Sequence, residues 1–456
     1  MKNFIRTKPL FLFLLPVFFV LHGYTNYYDF IPVMDALLLV LVYTGSALVI
    51  VGLFWLFYRN FIKACLLAFV VMCYHFFFGS IQDGLKDNFH DAFITRYGFM
   101  LPVSLFFFFT IIIMMKKRKK SFQKLIVYLN ILLLLLIAGD MVWLTGKITS
   151  QKENPAINRV NQNLSGCDSC KKPDIYFIVL DEYAGNSELK ALCNFDNSPF
   201  ENELRHRGFH VTGETSSNYN NTRYSIASTL NMDYLELNMK TKEWGNFKYC
   251  TRVTRNNQVL KYLTVHGYRF YNYSVFDFTG QPALNYDNFL PSKTKLITSQ
   301  TFLSRLLRDI LSSIASGKFS FRPLLKKYMY DHLHNNENIL QLTREIAARQ
   351  TASPKFVYTH LILPHYPYYF DSAGNAMPLK RLVQSGPYNQ KEYTGYIQYC
   401  NKKILQLVDD LMTSSPAPPA IMLTGDHGFR QFKKKVENKY YFMNLNAVYL
   451  PDKNYS

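Results

Sequence analysis

Residues Ile421–Phe429 read IMLTGDHGF, and this stretch decides how the rest of the chain is understood. A short apolar run of strand type breaks at Thr424-Gly425 and delivers Asp426 and His427 side by side at its exit. Neighbouring side chains on an extended strand point to opposite faces, so two of them converge on one ion only where the backbone turns. Gly425 and Gly428 bracket the pair and predict such a turn. A carboxylate oxygen beside an imidazole nitrogen is a mixed hard and borderline donor set, suited to zinc or manganese. A solvated turn after a core strand explains a bare Asp-His pair equally well, so the decision passes to the surrounding chain.

Working outward, two other apolar runs end in the same manner. Asp174–Leu180, DIYFIVL, is followed by Asp181 and Glu182, and Lys355–Leu363, KFVYTHLIL, is followed by Pro364 and His365. His360 falls inside the second run and reads as a core histidine. Shorter strands are predicted at Phe209–Thr212 and Tyr268–Tyr273. Between them helical spacing runs over Ser187–Arg207, ending at Gly208, over Asn256–His266, Asn335–Gln350 and Tyr388–Thr413. Strands separated by helices of this length predict an α/β domain, with a mainly parallel sheet sandwiched by helices, over residues 173–456. Chemistry in such sheets gathers at the carboxyl ends of strands, where the three polar exits lie.

The first third of the chain has a different character. Five apolar stretches, at about 9–23, 32–57, 64–81, 98–115 and 125–145, each approach or exceed the roughly 20 residues that cross a bilayer. They define a transmembrane module over residues 1–146. No small-residue cleavage site follows the first stretch, so it reads as an uncleaved helix rather than a secretory signal. Lys2, Arg6 and Lys8, then Arg59 and Lys63, then Lys116–Lys120 and Lys124 occupy alternate loops. By the positive-inside rule the N-terminus is cytoplasmic, and five crossings place the α/β domain on the extracytoplasmic side of a bacterial-type plasma membrane. The formal charge of +19 comes partly from these lysines. With no zinc-finger spacing, RNA-binding signature or basic-region helix, it points to membrane topology and not to nucleic acid. Asp35 and Asp140 lie near span ends and read as structural. Residues 147–172 form a polar linker carrying Cys167 and Cys170; with Cys193, Cys250 and Cys400 these read as disulfide or inert thiols, since one Cys-x-x-Cys pair is too few ligands for a structural zinc.

A nucleophile is sought in residues 216–235, SSNYNNTRYSIASTLNMDYL, where small polar residues lead into a helix start. Thr222 and Ser225 are both candidates, and position alone does not choose between them. A divalent cation lowers the pKa of a hydroxyl it binds, so either could act without a conventional base.

The order DIYFIVLDEY, NNTRYSIAS, LPHYP, LTGDHG resembles the sulfatase-like branch of the alkaline phosphatase superfamily. With the spans in front, the layout is similar to the membrane-bound phosphotransferases: lipoteichoic acid synthases, phosphoethanolamine transferases and phosphoglycerol transferases. The resemblance implies metal ligands at Asp181, Asp426 and His427, with Glu182 a weaker candidate. It implies a metal-bound nucleophile at Thr222, and at His365 a contact to the transferred group or its leaving group. One divalent ion is implied, manganese or zinc first, calcium or magnesium as the alternatives. TRYSI lacks the Pro of the sulfatase C/S-x-P-S-R signature and sets Arg223 out of its register, which argues against sulfatase chemistry. The implied activity is transfer of a phospho-substituent, of phosphoethanolamine or glycerol phosphate type, from a lipid to a glycan or lipid acceptor of the cell envelope. A phosphatase- or sulfatase-type hydrolase and a non-catalytic membrane sensor or scaffold are the other two expectations. The resemblance also implies further strand and helix after Ser456.

Overall fold

A computed structural model of the chain describes residues 6–89, 92–118, 121–149, 171–237, 243–284, 294–315 and 322–455. The chain divides into two compact units, Met1–Lys152 with Pro291–Ser312, and Glu153–Leu290 with Ser313–Ser456.

The first unit contains helices α1 (Phe11–Tyr27), α2 (Val33–Tyr58), α3 (Phe61–Phe89), α4 (Tyr97–Lys117) and α5 (Gln123–Thr149). Among the described residues, α2 to α5 are long and apolar enough to cross a membrane, and α1 is a shorter apolar helix of 17 residues. That gives four such helices where five crossings are expected. Even so, α1 runs beside α5 from end to end. The Phe11 N–H donates to Asn130 Oδ1 at 2.7 Å near their starts, and Lys147 Nζ donates to the Thr25 carbonyl at 2.8 Å near their ends. Asp140 lies 3.1 Å from His22 Nδ1 across the same pair of helices. At one end of the bundle Lys63 Nζ reaches the Lys116 carbonyl at 3.5 Å, and Arg6, Lys63 and Arg118 line one pocket. The alternate basic loops of the sequence therefore meet at a single end.

The second unit is built on a six-stranded sheet: β1 (Ile175–Leu180), β2 (His210–Val211), β3 (Arg269–Tyr273), β4 (Lys355–Leu361), β5 (Ala420–Gly425) and β6 (Asn446–Tyr449), in the order β2-β6-β5-β1-β4-β3. The pairings β1–β4, β1–β5 and β3–β4 are parallel, whereas β6 runs antiparallel to both β5 and β2. The sheet is thus mixed, with its reversed strand at β6. Helices α6 (Asn186–Cys193), α7 (Ser198–His206), α8 (Thr222–Asn231), α9 (Glu243–Arg255) and α10 (Gln258–Val265) precede β3. After β3 come α11 (Lys295–Thr298), α12 (Phe302–Ala315) and α13 (Arg322–Ala348), and after β4 come α14 (Leu379–Ser385) and α15 (Gln390–Ser414).

The three central strands are apolar throughout because both their faces are covered. On one face Tyr176, Ile178, Val357, Leu361, Ile421 and Leu423 pack with Ile339 and Ile346 of α13 and with Ile397, Leu407 and Leu411 of α15. On the other, Phe177, Val179, Phe356 and Tyr358 meet Ile226 and Leu230 of α8. The single helix expected over Ser187–Arg207 is two. Asn194 ends α6 in a left-handed conformation, at φ 48°, and Pro199 opens α7 in its first turn. Cys193, Cys250 and Cys400 are free thiols, while Cys167 and Cys170 lie outside the described residues.

Candidate metal centre

β1 and β5 are parallel neighbours with Leu180 opposite Gly425. The residues that follow, Asp181 and Asp426, therefore leave the sheet side by side. Both are still tied to it: the Asp181 N–H donates to the Leu361 carbonyl at 3.0 Å, and the Asp426 N–H to the Leu180 carbonyl at 3.1 Å. His427 comes next, and ligand atoms of Asp181, Asp426 and His427 all lie within 4.8 Å of one another, in full burial.

The donors are aimed by their own hydrogen bonds. Asp426 Oδ1 accepts the N–H groups of Glu182 at 2.8 Å and His427 at 2.9 Å, which leaves Oδ2 without a hydrogen-bond partner, 3.3 Å from His427 Nε2. His427 Nδ1 lies 2.8 Å from the Gly428 carbonyl. A carbonyl only accepts, so Nδ1 carries the proton and Nε2 presents its lone pair inward. Asp181 Oδ2 is a second buried carboxylate oxygen with no partner. Two buried carboxylate oxygens without hydrogen-bond partners are costly in a protein interior, and a divalent cation beside the inward-facing imidazole nitrogen satisfies them. The residues present fit such an ion.

Thr222 is the first residue of α8, behind Asn221, whose side chain accepts the Arg223 N–H at 3.2 Å as the helix cap. Its hydroxyl is buried 3.2 Å from His427 Nε2 and 3.5 Å from Asp181 Oδ1. Ser225, one turn on, donates instead to the Asp426 carbonyl at 2.5 Å. The two hydroxyls between which position alone does not choose are thus separated: Thr222 faces the carboxylates and Ser225 braces the backbone that carries one of them.

Glu182 stands apart from the trio. It is held in the left-handed region at φ 61°, a conformation that costs a non-glycine residue and persists only where its surroundings impose it. Its Oε1 accepts the Arg430 N–H at 3.0 Å, and Oε2 lies 3.8 Å from His365 Nε2. His365 Nδ1 is 2.7 Å from the Tyr366 carbonyl, and its side chain is one-quarter exposed (25%).

Three contributors escaped the sequence reading. His360 is buried in β4 as expected, but its Nε2 lies 3.9 Å from Asp181 Oδ2 and has no hydrogen-bond partner. Arg430 reaches the Asn220 carbonyl at 3.0 Å beside the start of α8. Glu188, on α6, accepts the Phe429 N–H at 3.4 Å and fixes the turn after His427. Arg430 lies three residues beyond His427 in the sequence, whereas the other two are brought in by folding alone.

The glycines also differ from expectation. Neither Gly425 nor Gly428 has a positive φ. A Cβ at Gly428 would meet Glu188 Oε2 at 2.5 Å, the Met443 carbonyl at 2.7 Å and the Tyr440 carbonyl closer still. These positions exclude a side chain because other backbone passes over them, not because the turn is left-handed.

Electrostatics follow from the crowding. Burial, with Asp426 adding to it, pushes the Asp181 carboxyl up to about 7. Burial lowers His427, against the pull of Asp426, and so favours the neutral ligand form. It lowers His360 to about 4. For His365 burial alone would lower the imidazole, but Asp181 and Glu182 outweigh it and the net direction is upward.

No family model and no curated protein matches the chain. Among solved structures, it resembles the C-terminal periplasmic domain of EptC from Escherichia coli in complex with Zn, at 11% identity and TM-score 0.38, over 64% of this chain and 76% of that one. It also resembles the periplasmic domain of phosphoethanolamine transferase EptC from Campylobacter jejuni, at 11% identity and TM-score 0.32, over 61% and 79%. A 2-O GAG sulfatase is similar at 12% identity and TM-score 0.35, over 61% and 64%. At these identities and TM-scores the likenesses assign neither substrate nor reaction, and the functional reading rests on the geometry of the centre itself.

Proposed function

We propose that this chain is a membrane-anchored, metal-dependent transferase that moves a phospho-substituent, of phosphoethanolamine or glycerol phosphate type, from a lipid headgroup to a glycan or lipid acceptor of the cell envelope. The observation that carries the reading is the Thr222 hydroxyl, buried at the start of α8 between His427 Nε2 and Asp181 beside two carboxylate oxygens that lack partners. Asp181, Asp426, His427 and Thr222 would hold one divalent ion, manganese or zinc. When bound, that ion lowers the pKa of the threonine hydroxyl and offsets charge on phosphoryl oxygens.

The chain's own groups supply the rest. Thr222, its hydroxyl proton already given up to water, attacks phosphorus in line as the alkoxide, the bond to the lipid oxygen breaks, and protonated His365 gives that oxygen its proton. The acceptor hydroxyl then passes its proton to His365 and attacks the phospho-threonine, releasing the Thr222 alkoxide. Thr222 stands at the N-terminus of α8, where the helix dipole favours developing negative charge. Arg430, at the same end, is placed to orient the anionic group. The α/β domain, residues 173–456, works on the extracytoplasmic side. That placement is supported by the gathering of Arg6, Lys63 and Arg118 at one end of the helix bundle.

The test is the intact mass of the full chain in detergent, incubated with phosphatidylethanolamine and phosphatidylglycerol and with Mn²⁺ or Zn²⁺. An adduct whose size names the transferred group, lost in Thr222→Ala, is the expected result. Equal turnover or an equal adduct in Thr222→Ala overturns the assignment. Absence of an adduct, with phosphate released from an aryl ester, transfers the reading to a hydrolase.

A further inference from the structure

The segment 291–312 lies in sequence between β3 and β4 of the sheet, yet it belongs to the same compact unit as the apolar helices. Its docking there is specific. Ile297 is buried in the core of that unit. The Gly79 N–H of α3 donates to the Gln300 carbonyl at 2.8 Å, an approach so close that a Cβ at Gly79 would lie 2.5 Å from that oxygen. Arg305, with only 8% of its side chain exposed, grips both oxygens of Asp83 on α3 at 2.8 and 2.6 Å. Tyr97, at the start of α4, donates to Asp309 at 2.8 Å, and Phe302 packs against Phe78 and Tyr74. Gly79, Asp83 and Tyr97 lie at the far end of these helices from Arg59, Lys63 and Lys116, the end the charge pattern assigns to the outer leaflet.

One face of α12 is left over. Leu303, Leu307 and Ile310, at i, i+4 and i+7, form an apolar stripe and are 53%, 49% and 39% exposed. The stripe continues the exposed apolar surface of the bundle. Leu303 lines one groove of about 620 Å³ with Val42 of α2 and Leu105 of α4, themselves 54% and 68% exposed. Arg308, 56% exposed, lies off the stripe and pairs with Asp309 at 3.0 Å. A helix gripped on one side by polar pairs, apolar on a second and charged on a third fits the boundary between headgroups and acyl chains.

We propose that α12 is an interfacial helix whose Leu303–Leu307–Ile310 stripe is immersed in the outer leaflet, so that the catalytic chain is held to the membrane surface by a segment from its own interior as well as by its spans. The occupant of the stripe is lipid. Arg305 and Asp309 serve to orient the helix and not to bind a ligand.

The full chain, with Trp55, Trp143 and Trp244 replaced by Phe, is reconstituted in phosphatidylcholine–phosphatidylglycerol vesicles. Leu307→Trp reports on the stripe and Arg308→Trp on the water side, and Leu303→Trp repeats the stripe measurement if the first variant does not fold. Stripe emission should be blue-shifted and quenched most by lipids brominated near the headgroup end of the acyl chain, at a depth of about 5–10 Å. Arg308→Trp should emit as in water. Water-like, unquenched emission from the stripe overturns the proposal, as does quenching strongest from bromine near the chain's methyl end. A blue shift that no brominated lipid quenches overturns it in favour of a second copy of the chain.

Discussion

Asp181 carries the pH behaviour of the centre. Its folded pKa rises from an ordinary 3.8 to about 7, chiefly by burial and then by the charge of Asp426. A carboxyl whose folded value exceeds its unfolded one binds more protons folded than unfolded between the two. Its stabilising contribution is therefore whole below about pH 4 and is lost as the pH climbs through about 7. Asp181→Asn keeps the shape and removes the titration. In chelator, wild type should lose stability relative to that variant as the pH rises across this window, by up to about 1.4 kcal/mol per pH unit. Thermal melts of both proteins at stepped pH check this, and a constant difference would contradict it. Saturating Mn²⁺ or Zn²⁺ should raise the melting temperature of wild type far more than that of Asp181→Asn.

At the scale of elements, the register of β1 against β4 and β5 decides which side chains meet. Lys355, the first residue of β4, holds part of that arrangement. It is buried, and its Nζ lies 3.0 Å from Asp174 Oδ2 while donating to the carbonyls of Ile346 and Arg349 at 3.1 and 2.7 Å. One ammonium thus closes the C-terminal end of α13, where a cation is favoured, and ties it to the residue before β1. Lys355→Met should cost about 3–5 kcal/mol, because it strands a carboxylate and carbonyls in a low-dielectric setting. Chemical denaturation measures the loss, and Asp174→Asn in the same chain should recover part of it. A loss below about 1 kcal/mol would show that the pair is solvated and the carbonyls are served by water.

At the scale of the molecule, the chain passes between the two units at 152/153, 290/291 and 312/313. The topology implied by the lysine pattern predicts opposite labelling of two exposed serines. In a chain whose cysteines are replaced by serine, Ser121→Cys, between α4 and α5, should be protected from an impermeant maleimide in intact spheroplasts. Ser372→Cys, between β4 and α14, should react without permeabilisation. The reversed pattern would invert the orientation, and equal protection of both would change the number of crossings.

The apolar spans, the alternation of strand and helix, and the polar exits at Asp181, His365 and Asp426 were legible in the sequence because each is a local pattern of period, length or charge. That Asp181, Thr222, Asp426 and His427 meet was expected only through the order of four motifs. Their actual convergence depends on β1 lying between β4 and β5, which no local pattern encodes. Tertiary structure alone decided the rest. It aims His360 from inside β4 at Asp181, brings Glu188 under the turn that holds His427, and requires glycine at 428 because distant backbone crosses it. It also joins residues 291–312 to helices more than two hundred positions earlier. The physical reason is common to all of these. Packing contacts and buried hydrogen bonds form between residues far apart in the chain, so the short-range periodicities that reveal a strand or a span carry no record of them.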